Sequence, residues 1–215
     1  MRIRQKGFTA TEFVVVLALL VVIFLLLVPA INTWREKRNR PVCASNLHQI
    51  WVAMFAYASD HQGCLPTIYD NAAKAPWDSA LINGRYLSIP VLRCPSDRYK
   101  RRPGEFPRTY AISYCVEGLR LGSSVFSNRS EVVLVGERVL DNSGYCIPGV
   151  VGGIYTRQCD KTWLVSAHYP VRDGVVFSKY VKQSNYLFLD GHVAWVNPTD
   201  AMLDRMFPPK PNNTR

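Results

Sequence analysis

Residues 7–31 read GFTATEFVVVLALLVVIFLLLVPAI, and within them the 19 residues from Phe13 to Ile31 carry no charge. As a helix, a run of that length reaches about 28 Å, which matches the hydrocarbon thickness of a bilayer. Glu12 sits at its mouth. A carboxylate at the edge of hydrocarbon is costly unless it is paired, so its position asks for a function. The run is longer than the apolar core of a removable signal peptide, and PAINTWREK after it has no small-residue cleavage pattern. A retained span is therefore expected. Pro29 lies inside it and should bend the helix or leave the Leu25 carbonyl without its partner.

Working outward, Arg2, Arg4 and Lys6 precede the run, and Arg35, Lys37, Arg38 and Arg40 follow it. The chain has 215 residues and a net charge of +10. Basic clusters on both flanks of an apolar span serve topology and lipid headgroups. With only Glu36 offsetting the second cluster, charge counting leaves orientation weakly determined. A third cluster, RYKRRPGEFPR (residues 98–108), reads as a solvated loop. No nucleic-acid motif accompanies the charge, so no nucleic-acid partner is expected.

After the span, Cys43, Leu47, Ile50, Trp51, Met54, Phe55 and Ala58 recur at intervals of three and four, one face of an amphipathic helix. Gly63 is its expected stop, and Pro41 marks a second kink or a boundary. One long helix from about Thr9 to His61 follows. Beyond it, WDSALINGRYL predicts a short helix with Asp78 as N-cap and Gly84 near its end. TYAISYCVEG, EVVLVGERV, TWLVSAHYP and GVVFSKY predict strands. NYLFLDGHVAWV predicts a hairpin turning on Asp190-Gly191 through a two-residue loop, which places Tyr186 opposite Trp195 and Phe188 opposite Val193. Both faces of that hairpin are apolar, which puts it well inside the domain.

Six cysteines, Cys43, Cys64, Cys94, Cys115, Cys146 and Cys159, form no CxxC pair, so neither a zinc ribbon nor a redox dithiol is indicated. An even number after an export span suits disulfides in an oxidising compartment, with buried free thiols as the alternative. His168, His192, Asp190 and Asp173 could be drawn together as a metal or acid–base cluster. However, HExxH, GxSxG, P-loop and Rossmann fingerprints are all missing, and Ser166 and His168 are too close in sequence to act as nucleophile and base. No catalysis, metal or cofactor is expected. Calcium binding by loop carboxylates stays open, although the acidic residues are dispersed.

Lys6-Gly7 followed by Phe8, Thr9 and Glu12, with the apolar run after them, resembles a type IV prepilin processing site. The resemblance implies cleavage after Gly7 by a prepilin peptidase that also N-methylates Phe8. Glu12 then becomes the fifth residue of the mature chain, and Pro29 falls where such proteins kink. Ala10-Thr11 departs from the usual apolar pair. CASNLHQIWVAMFAYASDHQGCLP is similar to the helix that follows the span in many prepilin-like proteins, and LRCPSD and NYLFLDGHVAWV recur in one branch of them. That branch is named for a histidine, nine residues and Asp-Gly; here Tyr180 occupies the histidine position. Cys43 and Cys94, both in family-like stretches, are the disulfide pair this resemblance favours.

The fold implied is α+β and pilin-like: a long kinked N-terminal helix, transmembrane in its first half, on a C-terminal antiparallel β-rich domain. The expected division is a leader at 1–7, a membrane helix at 8–31, an amphipathic continuation at 32–62, a globular domain at 63–197 and a Pro-rich tail at 198–215. The implied function is a pilin or pseudopilin, a structural subunit assembled from the inner membrane into a type IV pilus-like or type II secretion filament. Its C-terminal domain would lie in the periplasm or outside the cell. Its partners would be the peptidase/N-methyltransferase, other pilin or pseudopilin subunits and inner-membrane lipid. Phe13, Val16, Leu20 and Phe24 would pack between subunits, and Glu12 would neutralise a neighbour's amino terminus. The alternative is a membrane-anchored extracytoplasmic binding domain that uses the processing signal only for placement.

Overall fold

The computed structural model describes residues 9–67, 69–70, 75–97, 109–137, 153–154, 183–197, 202 and 205–208. The chain is α+β and divides into two compact units, Met1–Arg38 and Asn39–Arg215. A single helix, α1, runs from Ala10 to Asp60 and contributes to both.

In the first unit the described apolar side chains from Phe13 to Val28 are exposed along the helix. The stretch Ala10–Val28 has a mean hydropathy of 3.1, long and apolar enough to cross a membrane. Contiguous apolar surface on this scale is not stable in water and requires lipid or other protein to cover it. Pro29 lies within the continuous helix. So does Pro41, which is therefore not a helix boundary. Lacking an N–H, Pro41 deprives the Lys37 carbonyl of its helical partner. Lys37 is exposed, and solvent satisfies such a carbonyl at small cost.

In the second unit the periodic face of α1 enters the core. Cys43, Leu47, Ile50, Met54 and Ala58 are fully buried, while Trp51 and Phe55 are half-buried at its margin. Each large aliphatic side chain removed from water contributes about 1.5–3 kcal/mol, which is why this half stays helical. The helix ends as the Gly63 N–H reaches back to the Ala58 carbonyl at 2.7 Å. Gln62 takes the first left-handed position (φ 54°) and Gly63 the next (φ 80°). The stop thus engages one residue before the expected glycine.

A two-residue ladder, β1 (Tyr69–Asp70) with β2 (Ala75–Pro76), leads into α2 (Trp77–Asn83). Pro76, with extended backbone, is the N-cap of α2. Asp78, expected in that role, lies inside the first turn and is fully buried. Its carboxylate is therefore a core group rather than an end cap. Gly84 closes the helix as expected.

The main sheet contains β3 (Tyr110–Ser113), β4 (Val133–Glu137), β5 (Gly153–Ile154), β6 (Ser184–Phe188) and β7 (Val193–Val196). Its order is β5-β3-β4-β6-β7. The four strands β3, β4, β6 and β7 are antiparallel, and β5 joins β3 in parallel. β4 and β6 are buried along their whole length because apolar groups cover both faces. Ile112, Leu134, Leu187 and Leu189 join the α1 core. On the other face Ala111, Val133, Tyr186 and Phe188 pack with Met206 and Phe207. The Pro-rich C-terminal segment thus supplies two core side chains. The expected strands at 162–170 and 174–180 lie outside the described residues.

The β6–β7 hairpin forms, one residue out of the expected register. Tyr186 pairs with Ala194 and Leu187 with Val193, while Trp195 stands opposite Asn185. The Gly191 N–H bonds the Phe188 carbonyl at 2.9 Å, and the Phe188 N–H bonds the His192 carbonyl at 2.9 Å. The loop is therefore three residues, Leu189 to Gly191, with Gly191 left-handed at φ 95°. Asp-Gly serves such a loop as well as a two-residue turn, since both need a glycine at positive φ.

Candidate functional site

Thr9 and Glu12 form a closed pair at the start of α1. The first turn of any helix leaves its N–H groups without intrahelical acceptors. Here the Glu12 N–H donates to the Thr9 hydroxyl at 3.3 Å, and the Thr9 N–H donates to Glu12 Oε2 at 2.8 Å. The Thr9 hydroxyl also donates to Oε2 at 2.7 Å, and lies 3.1 Å from the Thr11 hydroxyl. This is a reciprocal capping box, and Thr-x-x-Glu is its sequence signature. The carboxylate at the mouth of the apolar run is therefore already held by its own chain, a role the sequence reading missed. Every hydrogen bond it accepts from described residues falls on Oε2, so Oε1 is uncommitted among them. One oxygen caps the helix, and among the described residues the other accepts no hydrogen bond. Lys6, Gly7 and Phe8 lie outside the described residues. Thr9 begins two residues after Gly7, so a cut there would leave the Thr9 amide and its cap intact.

The second cluster sits in the other unit. Cys43 on α1 is bonded to Cys94 in a disulfide, the pair favoured by resemblance. The reason these residues meet is local. In Cys94-Pro95-Ser96-Asp97 the Asp97 N–H closes a tight turn on the Cys94 carbonyl at 2.9 Å, with proline at its second position. Thr109 fixes that turn: its hydroxyl donates to Asp97 Oδ2 at 2.7 Å and accepts from the Cys94 N–H at 3.2 Å. Asn46, one turn beyond Cys43, donates to the Arg93 carbonyl at 3.0 Å, and Asn39 Nδ2 donates to the Ser96 hydroxyl at 3.1 Å. The segments CASN and LRCPSD thus clasp each other through the disulfide and these hydrogen bonds.

Glu137 lies beside this clasp, 2 % exposed. It accepts from the Ser184 hydroxyl at 2.9 Å and from Asn185 Nδ2 at 2.8 Å, tying β4 to β6. Burial, then the Glu137 charge, pushes the Tyr110 and Tyr186 phenols well above their ordinary range. Glu137 Oε, Cys43 Sγ and Cys94 Sγ lie within 4.8 Å of one another, a grouping with metal-ligand chemistry. The two sulfurs are spent on each other, however, so the disulfide form offers no thiolate. Cys115 is buried and outside any disulfide, its sulfur 3.0 Å from the Ser113 hydroxyl, and burial pushes its thiol up to about 11. Cys64 is a second free thiol, half-buried; Cys146 and Cys159 lie outside the described residues.

At the hairpin, Asp190 Oδ1 lies 2.6 Å from His192 Nδ1 and accepts the His192 N–H at 3.2 Å. The His192 ring stacks on Phe188 at 4.3 Å between centroids. Both polar residues are exposed, and these contacts brace the turn. Gly191 presses on the Trp51 indole, where a Cβ would stand 2.4 Å from Cε2. Arg40 lies over the Trp195 ring at 4.2 Å, a cation–π contact between α1 and β7. His168, Asp173, Ser166 and Tyr180 lie outside the described residues. The structure therefore brings together Glu12 with Thr9 and Cys43 with Cys94, and leaves Asp190 and Gly191 as turn residues. Compared with known proteins, the chain matches no family model, no curated protein and no solved structure.

Proposed function

We propose that this chain is a pilin or pseudopilin, a structural subunit cut after Gly7 and assembled from the inner membrane into a type IV pilus-like or type II secretion filament. In this reading a prepilin peptidase releases residues 1–7 and methylates Phe8, and the C-terminal domain lies on the far side of the membrane. A pilin-like layout, with a long N-terminal helix and a β-rich domain, agrees with the α+β architecture. The carrying observation is the Thr9–Glu12 pair, which keeps a carboxylate, with one oxygen uncommitted among the described residues, at the mouth of an apolar stretch exposed from Phe13 to Val28.

Cutting after Gly7 creates a cationic amino group on Phe8. Stacking of helices would bring one subunit's amine to another's Glu12 in a poorly hydrated layer. There an ion pair is strong, and the removal of one partner is costly. The exposed apolar side chains of Phe13, Val16, Leu20 and Phe24 would supply the packing around it.

The test is the mass and N-terminal sequence of the protein from its native membrane. A chain that begins at methylated Phe8 and co-sediments with a filament supports the reading. A chain still beginning at Met1 in the presence of the peptidase would sink it.

A further inference from the structure

The end of the apolar run and the residues just beyond it form a surface that filament assembly does not explain. Leu27, Ile31, Trp34, Arg35 and Arg38 line one open groove on α1. At about 100° per residue these five fall within an arc of about 100°, so they share a single face. Trp34 is 77 % exposed, and Arg35 and Arg38 are exposed. Among the described residues neither arginine makes a hydrogen bond or an ion pair. Glu36 projects from the opposite side of the helix by the same spacing, and Lys37 lies outside the arc. The face therefore grades from aliphatic through indole to two guanidiniums, with the acid turned away.

Depth along the axis identifies what fits. Ile31 ends the apolar run, and the polar Asn32 and Thr33 follow it. At a rise of about 1.5 Å per residue, Trp34, Arg35 and Arg38 follow about 4.5, 6 and 10 Å beyond it. The headgroup layer is about 5–8 Å thick on each side of the hydrocarbon, so Trp34 and Arg35 lie within it, and Arg38 lies about 2 Å past it, within reach of a long side chain that turns back. Tryptophan favours this layer, with its ring in apolar surroundings and its N–H toward water. Guanidinium groups match the paired oxygens of a phosphodiester.

We propose that this face binds an anionic phospholipid, with an acyl chain along Leu27 and Ile31 and the phosphate between Arg35 and Arg38. The proposal rests on the membrane span within the functional reading above, and is independent of filament assembly. A nucleic-acid phosphate would meet the same arginines, but its bases and sugars have no place beside Leu27 and Ile31 in hydrocarbon.

The full-length chain is reconstituted in nanodiscs of mixed phosphatidylcholine and phosphatidylglycerol, and the lipids it retains are read by native mass spectrometry. The expected result is several-fold enrichment of phosphatidylglycerol over its share of the disc. A juxtamembrane arginine contributes about fivefold in affinity, so Arg35→Gln with Arg38→Gln returns retention to the bulk ratio. Trp34→Ala weakens it, and Lys37→Gln, outside the groove, leaves it unchanged. Excess inorganic phosphate does not displace the lipid. Retention at the bulk ratio by the wild type overturns the proposal, as does a loss with Lys37→Gln equal to that with the arginine variants. Displacement by inorganic phosphate makes the groove a general anion site and overturns the lipid assignment. Failure of the helical chain to enter the disc would overturn the membrane reading beneath it, a result distinct from entry without enrichment.

Discussion

Thr9 and Glu12 hold each other across the first turn of α1, each residue's backbone N–H donating to the other's side chain. Helix capping and the placing of a carboxylate in an apolar setting are thus one structural act. Thr9→Val keeps the shape and removes the hydroxyl. It should cost the first turn about 0.5–2 kcal/mol, read as faster amide exchange at residues 10–13 in a membrane mimetic. Thr9→Ser should preserve protection, and the thermal midpoint of the C-terminal unit should not move.

The Cys43–Cys94 bridge closes a separation of 51 residues. On the chain-entropy relation a loop of that length stabilises by about 4 kcal/mol, with measured bridges usually at about 2–4. Cys43→Ser with Cys94→Ser should lower denaturant stability by that amount in oxidising buffer. Adding reductant should lower the wild type to match and leave the double variant unchanged.

Gly191→Ala should be destabilising for two separable reasons. A Cβ would strike the Trp51 ring, and φ 95° is strained for any side chain. The loss should be about 2–4 kcal/mol by chemical denaturation. In the Trp51→Leu background the steric part should vanish and the conformational part, about 1–2 kcal/mol, remain. Full additivity of the two substitutions would contradict the contact.

These particulars show what could be read from sequence. The apolar run and the buried face from Cys43 to Ala58 were legible because helical period and burial coincide there. The hairpin was legible, but not its register. Asp190-Gly191 satisfies two loop lengths, and the choice between them is made in three dimensions, where Gly191 presses on Trp51. Asp78 resembled a cap because helix starts favour aspartate, yet Pro76 holds that position and the carboxylate turns inward. Met206 and Phe207 were hidden by the prolines around them, although they cover one face of the sheet. The buried Glu137 gave no local signal, since its partners Ser184 and Asn185 lie on a strand 47 and 48 residues away. At the candidate site the capping-box signature Thr9-x-x-Glu12 is local and legible in the sequence itself.

Alkaline stability follows from the buried acids. The Cys115 thiol stays protonated in the folded chain up to about 11, against an ordinary value of 9.0. Between those values the unfolded chain releases a proton that the folded chain keeps. The thiol's contribution is therefore whole below about pH 9 and lost as pH rises through about 11. The loss is about 2–3 kcal/mol. The raised phenols of Tyr110 and Tyr186 act in the same direction at higher pH. Urea unfolding at pH 8, 10 and 11 should show a monotonic fall, and Cys115→Ala should flatten its first part.

The central claim is that the Glu12 charge is an assembly contact, and Glu12→Gln tests it most directly. Glutamine can occupy the third position of a capping box, so this variant keeps the Thr9 cap while losing the charge. Glu12→Ala removes both. The measurement is the fraction of each cleaved variant that co-purifies with filaments from cells that also carry the wild-type partner subunits. The account predicts normal cleavage and membrane insertion for both variants, and loss of co-purification for both. If Glu12→Gln enters the filament as well as wild type while Glu12→Ala does not, Glu12 acts through the cap alone, and the ion-pair mechanism is contradicted.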